Sequence, residues 1–131
     1  MLQQPMEGIA VAMPSAWIPP PLGLCKINVD GALYHTKKLA RIGVVIRDHR
    51  GRLLVALCRK IRAQLGVLKV EAKAYEAGML LARHLGLMNG VSEGDSLIIS
   101  NALKRVTEPP TSVAAVVEGI HALGSISQPT F

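Results

Sequence analysis

Two apolar runs held apart by four turn-forming residues constrain this chain more than any other feature. Ile42 to Arg47 and Arg52 to Cys58 flank Asp48-His49-Arg50-Gly51. Runs this short and this rich in Val, Ile and Leu suit strands, and a short glycine-containing loop joins antiparallel neighbours. Gly51 suits the left-handed backbone position that such a loop needs. Both runs are apolar on both faces, which predicts that both faces are covered. Leu24 to Val29 alternates and reads as a further strand. Lys26, Asn28 and Asp30 share one of its faces, and Ile27 and Val29 the other. Together these segments predict a three-strand antiparallel meander.

Lys69 to Leu85 is the best helical stretch, closed by Gly86 at its C-terminal end. A helical rotation of about 100° per residue puts Glu71, Tyr75, Gly78 and Ala82 in one stripe. Ala74, Met79 and Leu85 flank that stripe, and Lys73, Glu76, Arg83 and His84 fall on the opposite side. Glu71 is therefore expected on the buried face in the first turn, where an unpaired carboxylate is costly. Asn89 to Glu93 follows as a strand of poor composition, with Gly90 and Ser92 where β-branched residues are expected. Asp95 or Ser96 then caps a helix through about Arg105. Glu108-Pro109-Pro110 breaks it, and Thr111 or Ser112 caps a third helix through Leu123. The order of elements, strand, hairpin, helix, strand, helix, predicts an α/β fold.

A chain of 131 residues holds one domain. Half its residues are hydrophobic but only 3% are aromatic, so the core falls to Leu, Ile, Val and Ala. Met1 to Ala16 lacks periodicity and reads as a disordered leader, with the domain spanning 17–131. Trp17-Ile18-Pro19-Pro20-Pro21 is a stiff extended lead-in. The net charge of +6 points to a nucleic acid or another acidic partner. Lys37, Lys38 and Arg41, and then Arg59, Lys60 and Arg62, are two basic groups able to contact phosphates; each could equally be a solvated face. Few aromatics disfavour single-strand binding by stacking. Cys25 and Cys58 have no metal-ligand spacing and read as thiols of a reducing, intracellular compartment, nuclear or cytoplasmic. No apolar run approaches the roughly 20 residues of a membrane span, and the N-terminus lacks a secretory pattern. His35, His49 and His84 read as surface or loop residues, Glu93 as a solvated neighbour of Asp95, and Asp48 as a turn former.

Three acids stand at element boundaries. Asp30 closes Lys26-Ile27-Asn28-Val29-Asp30, Glu71 opens Val70-Glu71-Ala72-Lys73-Ala74, and Asp95 lies in Ser92-Glu93-Gly94-Asp95-Ser96. Converging carboxylates make an oxygen-rich site for a hard divalent cation. Each has a plainer alternative: a polar strand end for Asp30, a favourable first-turn acid for Glu71, and a helix cap for Asp95.

The ordered set Lys26-Ile27-Asn28-Val29-Asp30-Gly31-Ala32, Gly43-Val44-Val45-Ile46-Arg47-Asp48, Gly51, Glu71-Ala72-Lys73-Ala74, Gly78, Leu85-Gly86 and Glu93-Gly94-Asp95-Ser96 resembles the type 1 ribonuclease H domain. The form it resembles is the reverse-transcriptase-associated, retroelement-like one of plant genomes, and the likeness covers residues 17 to 123. The resemblance implies a mixed sheet of about five strands, the three-strand antiparallel meander plus a parallel strand, with helices packed on its faces. It also implies that Asp30, Glu71 and Asp95 are three of four catalytic carboxylates that hold Mg²⁺, with Mn²⁺ as the alternative ion. In that family two cations about 4 Å apart clamp an in-line displacement and the RNA strand of an RNA–DNA hybrid is cut, with no small-molecule cofactor and no membrane. The family's fourth carboxylate follows the third helix, in a strand, loop and helix region that this sequence lacks: Gly124 to Phe131 carries no acid. Hybrid hydrolysis, a catalytically inactive nucleic-acid-binding remnant, and an interaction domain without nuclease activity are the three readings this leaves.

Overall fold

Where the sequence predicts a meander, the chain forms one and extends it. The computed structural model describes residues 8–12, 24–34, 38–87 and 89–124. The strands are β1 (Gly8–Ala12), β2 (Cys25–Tyr34), β3 (Leu39–Arg47), β4 (Leu53–Ile61) and β5 (Asn89–Glu93). The helices are α1 (Val67–His84), α2 (Leu97–Leu103) and α3 (Ala114–Gly124), the last entered through a single 3₁₀ turn at Thr111–Val113. One mixed sheet has the order β1-β5-β2-β3-β4. β2, β3 and β4 are antiparallel, and β5 is parallel to β2. The α/β expectation of a meander plus a parallel strand under helices holds.

β1 overturns part of the leader expectation. Residues 8–12 are not structureless: they pair in parallel with β5, from Gly8↔Asn89 to Ala12↔Glu93. The sequence hides this because an edge strand is ordered by backbone pairing to a distant neighbour, which needs no alternation of its own. The lead-in at 17–21, Lys37, His35 and residues 125–131 lie outside the described residues.

The β3–β4 loop folds as its chemistry dictates. Asp48 Oδ1 accepts from the backbone N–H groups of Arg50 and Arg52, each at 2.9 Å, and Gly51 takes φ 81°. Arg52 Nε donates to Asp48 Oδ2 at 2.9 Å. The expectation that both hairpin strands are covered on both faces fails at β4. It is an edge strand, with Leu53 61% and Leu54 49% exposed. An edge strand has one flank without a neighbour, so apolar composition alone did not establish coverage.

α1 packs on β2 and β3 and against α3. Val70, Ala72, Ala74, Tyr75, Ala77, Gly78, Met79 and Ala82 are buried along it, so the helix is covered by sheet on one side and helix on another. Ile27, Ile42, Val44, Ile46, Ile99, Val113 and Val117 complete this layer, all at most 2% exposed. Each such side chain contributes about 1.5–3 kcal/mol by leaving water. Tyr75 is the large residue of the core; its hydroxyl and Ser100 Oγ are 3.0 Å apart, tying α1 to α2. Burial lifts the Tyr75 phenol to about 12. Small residues on β5, Gly90 and Ser92, are buried beside this layer, so the weak strand composition fits a strand whose bulk partners come from the helices. Among the described residues, no helix is long and apolar enough to cross a membrane.

Candidate active site

The structure removes the plainer alternative for each of the three acids. Asp30 is not a strand end: β2 runs on to Tyr34, and Asp30 pairs with Gly43 inside the ladder. Glu71 is not in the first turn: α1 begins at Val67, and its first turn holds no acid. The helix dipole acts mainly within that first turn, so it does not account for Glu71. Asp95 does not cap α2. Ser96 does, its Oγ accepting from Ile99 N–H at 3.2 Å.

Backbone shape brings these acids together. β2 and β5 are parallel neighbours, from Cys25↔Gly90 to Asn28↔Glu93, so Asp30, two residues past Asn28 within β2, and Asp95, two residues past the end of β5, lie at the same level of the sheet. Two glycines let α1 close on that end. A Cβ on Gly31 would lie 2.6 Å from Val70 Cγ1 and 3.4 Å from Glu71 Oε1, so only glycine admits the start of α1 beside Asp30. A Cβ on Gly94 would lie 2.9 Å from both the Tyr75 hydroxyl and Val29 Cγ2.

Asp30 and Asp95 are exposed and Glu71 is half-buried. Burial, then the charges of Asp30 and Asp95, raise the Glu71 carboxyl to about 6. Glu71 Oε2 is shielded from water without a hydrogen-bond partner. A partnerless buried carboxylate oxygen in the field of two further carboxylates suits a divalent cation chemically, because that charge would relieve both costs. Among the described residues, no three His, Cys, Asp or Glu side chains stand close enough, as placed, to hold one ion.

Glu93 corrects the sequence reading. It is 7% exposed rather than solvated, and its Oε2 stands 3.3 Å from the ammonium of Lys26, itself fully buried. Nothing local signals this pair; it exists because Lys26 and Glu93 belong to parallel neighbours and to one face.

The basic residues separate by face. In the ladder Asp30 lies opposite Gly43 and Gly43 opposite Cys58; the next row is Ala32, Arg41 and Lys60. Arg41 and Lys60 therefore share the face of Asp30, whereas Arg59, opposite Ile42, belongs to the helix-covered face. Lys38, Arg59, Lys60 and Arg62 are exposed and Arg41 is half-buried. Arg41 also lies over the ring of Tyr34, 5.8 Å from its centroid, a contact the sequence reading missed. His49 is half-buried in the β3–β4 loop and His84 exposed at the end of α1.

The profile of a family described as reverse transcriptase-like matches residues 28–126. The chain belongs to that family. No curated protein matches it in sequence. Among solved structures it is similar to the ribonuclease H1 of the halophilic archaeon Halobacterium salinarum NRC-1, with 18% identity and a TM-score of 0.71 over 77% of this chain and 76% of that one. It is also similar to LC11-RNase H1, a compost metagenomic protein whose structure holds an RNA/DNA hybrid. There the identity is 19% and the TM-score 0.70, over 79% of this chain and 78% of that one. The prototype foamy virus protease–reverse transcriptase matches 86% of this chain with 17% of its own, at 15% identity and a TM-score of 0.59. The fold of this reverse transcriptase-like domain is thus the ribonuclease H fold.

Proposed function

We propose that this domain binds RNA–DNA hybrid duplexes and hydrolyses their RNA strand at Asp30, Glu71 and Asp95. The observation that carries this reading is the buried, partnerless Oε2 of Glu71 beside two further acids: burial first, and then the charges of Asp30 and Asp95, raise the Glu71 carboxyl to about 6. No role in folding accounts for three like charges gathered where β5 stops beside β2 and α1 packs on it. The LC11 protein, whose structure holds an RNA/DNA hybrid, supports the duplex as ligand.

Asp30, Glu71 and Asp95 are the residues that would hold Mg²⁺ or Mn²⁺. When bound, such ions activate water and stabilise the charge that develops on the phosphate. The chain's own contribution is placement and field. Gly31 and Gly94 let the helix and the β5–α2 corner approach Asp30. The pairing of Glu93 with Lys26 keeps a fourth acid turned to its own counter-charge. Lys37, Lys38, Arg41, Arg59, Lys60 and Arg62 attract the phosphate backbone, which supplies affinity without sequence preference. The 2′-hydroxyl separates the RNA strand from the DNA strand. By resemblance the domain derives from a plant retroelement.

A second reading is a non-catalytic duplex binder, favoured by the three carboxylates not converging on one point as placed. A labelled RNA–DNA hybrid incubated with Mg²⁺ or Mn²⁺ separates the two. RNA-strand cleavage abolished by Asp30→Asn supports hydrolysis. Retention of the hybrid without cleavage by a folded chain supports the second reading, and failure to bind the hybrid defeats both.

A further inference from the structure

The row beside Asp30 carries charge that the fold itself does not use. Arg41 and Lys60 are directly opposite one another across β3 and β4. Like charges facing each other across a ladder are destabilising. Among the described residues neither has an acidic partner. Arg41 Nε is in addition shielded from water and makes no hydrogen bond. An anion over this row would relieve the repulsion and satisfy the guanidinium together.

The position of the row says which anion. Asp30 pairs with Gly43, and Arg41 is two residues from Gly43 along β3. Such diagonal neighbours are about 7–8 Å apart, comparable with the step between successive phosphates on one nucleic-acid strand. Tyr34, 43% exposed, follows in the same alternation and lies 5.8 Å from the Arg41 guanidinium. It offers an aromatic face next to the bound phosphate, where a sugar or base stands.

We infer that Arg41, Lys60 and Tyr34 form a backbone subsite that takes the phosphate one nucleotide away from the one at Asp30. This rests on the nucleic-acid reading above and deepens it by giving the strand a direction across the sheet, from the acids towards the Tyr34–Leu39 pair of β2 and β3.

Cys58 makes the inference testable in the unaltered chain. It is an exposed free thiol in the row of Asp30, between Gly43 and the sheet edge. Cys25 is buried and its thiol is pushed up to about 11, so an alkylating agent reports Cys58 alone. With Ca²⁺ in place of Mg²⁺, hybrid binding is followed by fluorescence anisotropy against salt, and Cys58 alkylation by iodoacetamide is timed with and without hybrid. The expected result is protection of Cys58 by at least threefold. Lys60→Ala and Arg41→Ala are expected to flatten the salt dependence by about one unit of slope, while Arg83→Ala, which removes the same charge from the exposed end of α1, does not. Should half-buried Arg41 prove necessary for folding, exposed Lys60 and Cys58 still decide the matter. Hybrid binding by the wild type with unprotected Cys58, or with Lys60→Ala equal to Arg83→Ala, overturns the subsite and leaves the nucleic-acid reading standing. No hybrid binding by the folded wild type overturns both.

Discussion

One face of the sheet is two surfaces with opposite electrostatic logic. Over β2 and β5 it is closed: Val91 and Lys26 are fully buried, and Lys26 meets Glu93 at 3.3 Å. Over β3 and β4 it is open: Arg41 and Lys60 oppose each other, with Lys60 and Cys58 exposed. In the first half the buried charges of Lys26 and Glu93 match each other inside the chain, and their worth is structural. In the second half the chain tolerates repulsion, and the charge is matched only when something anionic arrives. Asp30 stands where the two halves meet. The contrast separates charge that builds the fold from charge that meets a ligand.

The largest effect should come from breaking the closed half. Lys26→Met leaves Glu93 buried without its counter-charge and is expected to destabilise by about 3–5 kcal/mol. Urea unfolding measures it, and the double change Lys26→Met with Glu93→Leu should recover most of the loss. A single variant with wild-type stability would mean the pair is not the structural element claimed. Next comes Gly94→Ala. The added methyl would meet the Tyr75 hydroxyl and Val29 at 2.9 Å, and overpacking of this kind costs about 1–3 kcal/mol. It also displaces the turn that carries Asp95, so metal-dependent activity should fall more than stability does. Equal losses in both would assign Gly94 a packing role only.

The meander and α1 could be read from the sequence because their causes are local. Asp48 and Gly51 make their own turn, and the apolar stripe of α1 repeats at the helical period. β1 could not be read, because five small and aliphatic residues carry no signal until β5 is beside them. The same holds for Lys26 and Glu93, separated widely in sequence and joined only by parallel register. The acids at Asp30, Glu71 and Asp95 were visible as an ordered set, but the elements around them were misjudged. β2 is longer and α1 starts earlier, while of the two caps the sequence offered for α2 the structure uses Ser96. Those errors matter, since the correct boundaries are what remove the plainer explanations of the three acids. Separating Arg41 and Lys60 from Arg59 needed strand register, which composition does not give.

At the meeting point of the two halves, pH offers a gentler test. The Glu71 carboxyl is raised from 4.5 to about 6 in the folded chain, so the fold holds this proton more tightly than the unfolded chain does. Its favourable contribution is fully present below pH 4.5 and is lost as the pH rises through about 6. Since Glu71 is half-buried, the loss is about 1 kcal/mol after allowance for solvent screening. Glu71→Gln should remove this dependence and be the more stable chain above pH 6 without metal. Adding Mg²⁺ or Mn²⁺ should stabilise the wild type there and leave the variant unchanged. Thermal unfolding across pH 4 to 8 checks both, and a variant that follows the wild-type curve would place the raised proton elsewhere.

The smallest effect on stability is the sharpest test of the open half. Lys60→Glu turns the repulsive pair across β3 and β4 into an attractive one. Opposite charges at directly facing positions contribute roughly 0.2–1 kcal/mol, so the variant should be slightly more stable than the wild type in urea. It should also bind hybrid worse, because Arg41 then has an internal partner and a carboxylate faces the phosphate. A rise in stability together with a fall in affinity is the signature of charge kept for a ligand at the fold's expense. Were stability to rise with affinity unchanged, the open half would be an incidental basic surface, and the contrast with the closed half would be one of burial alone.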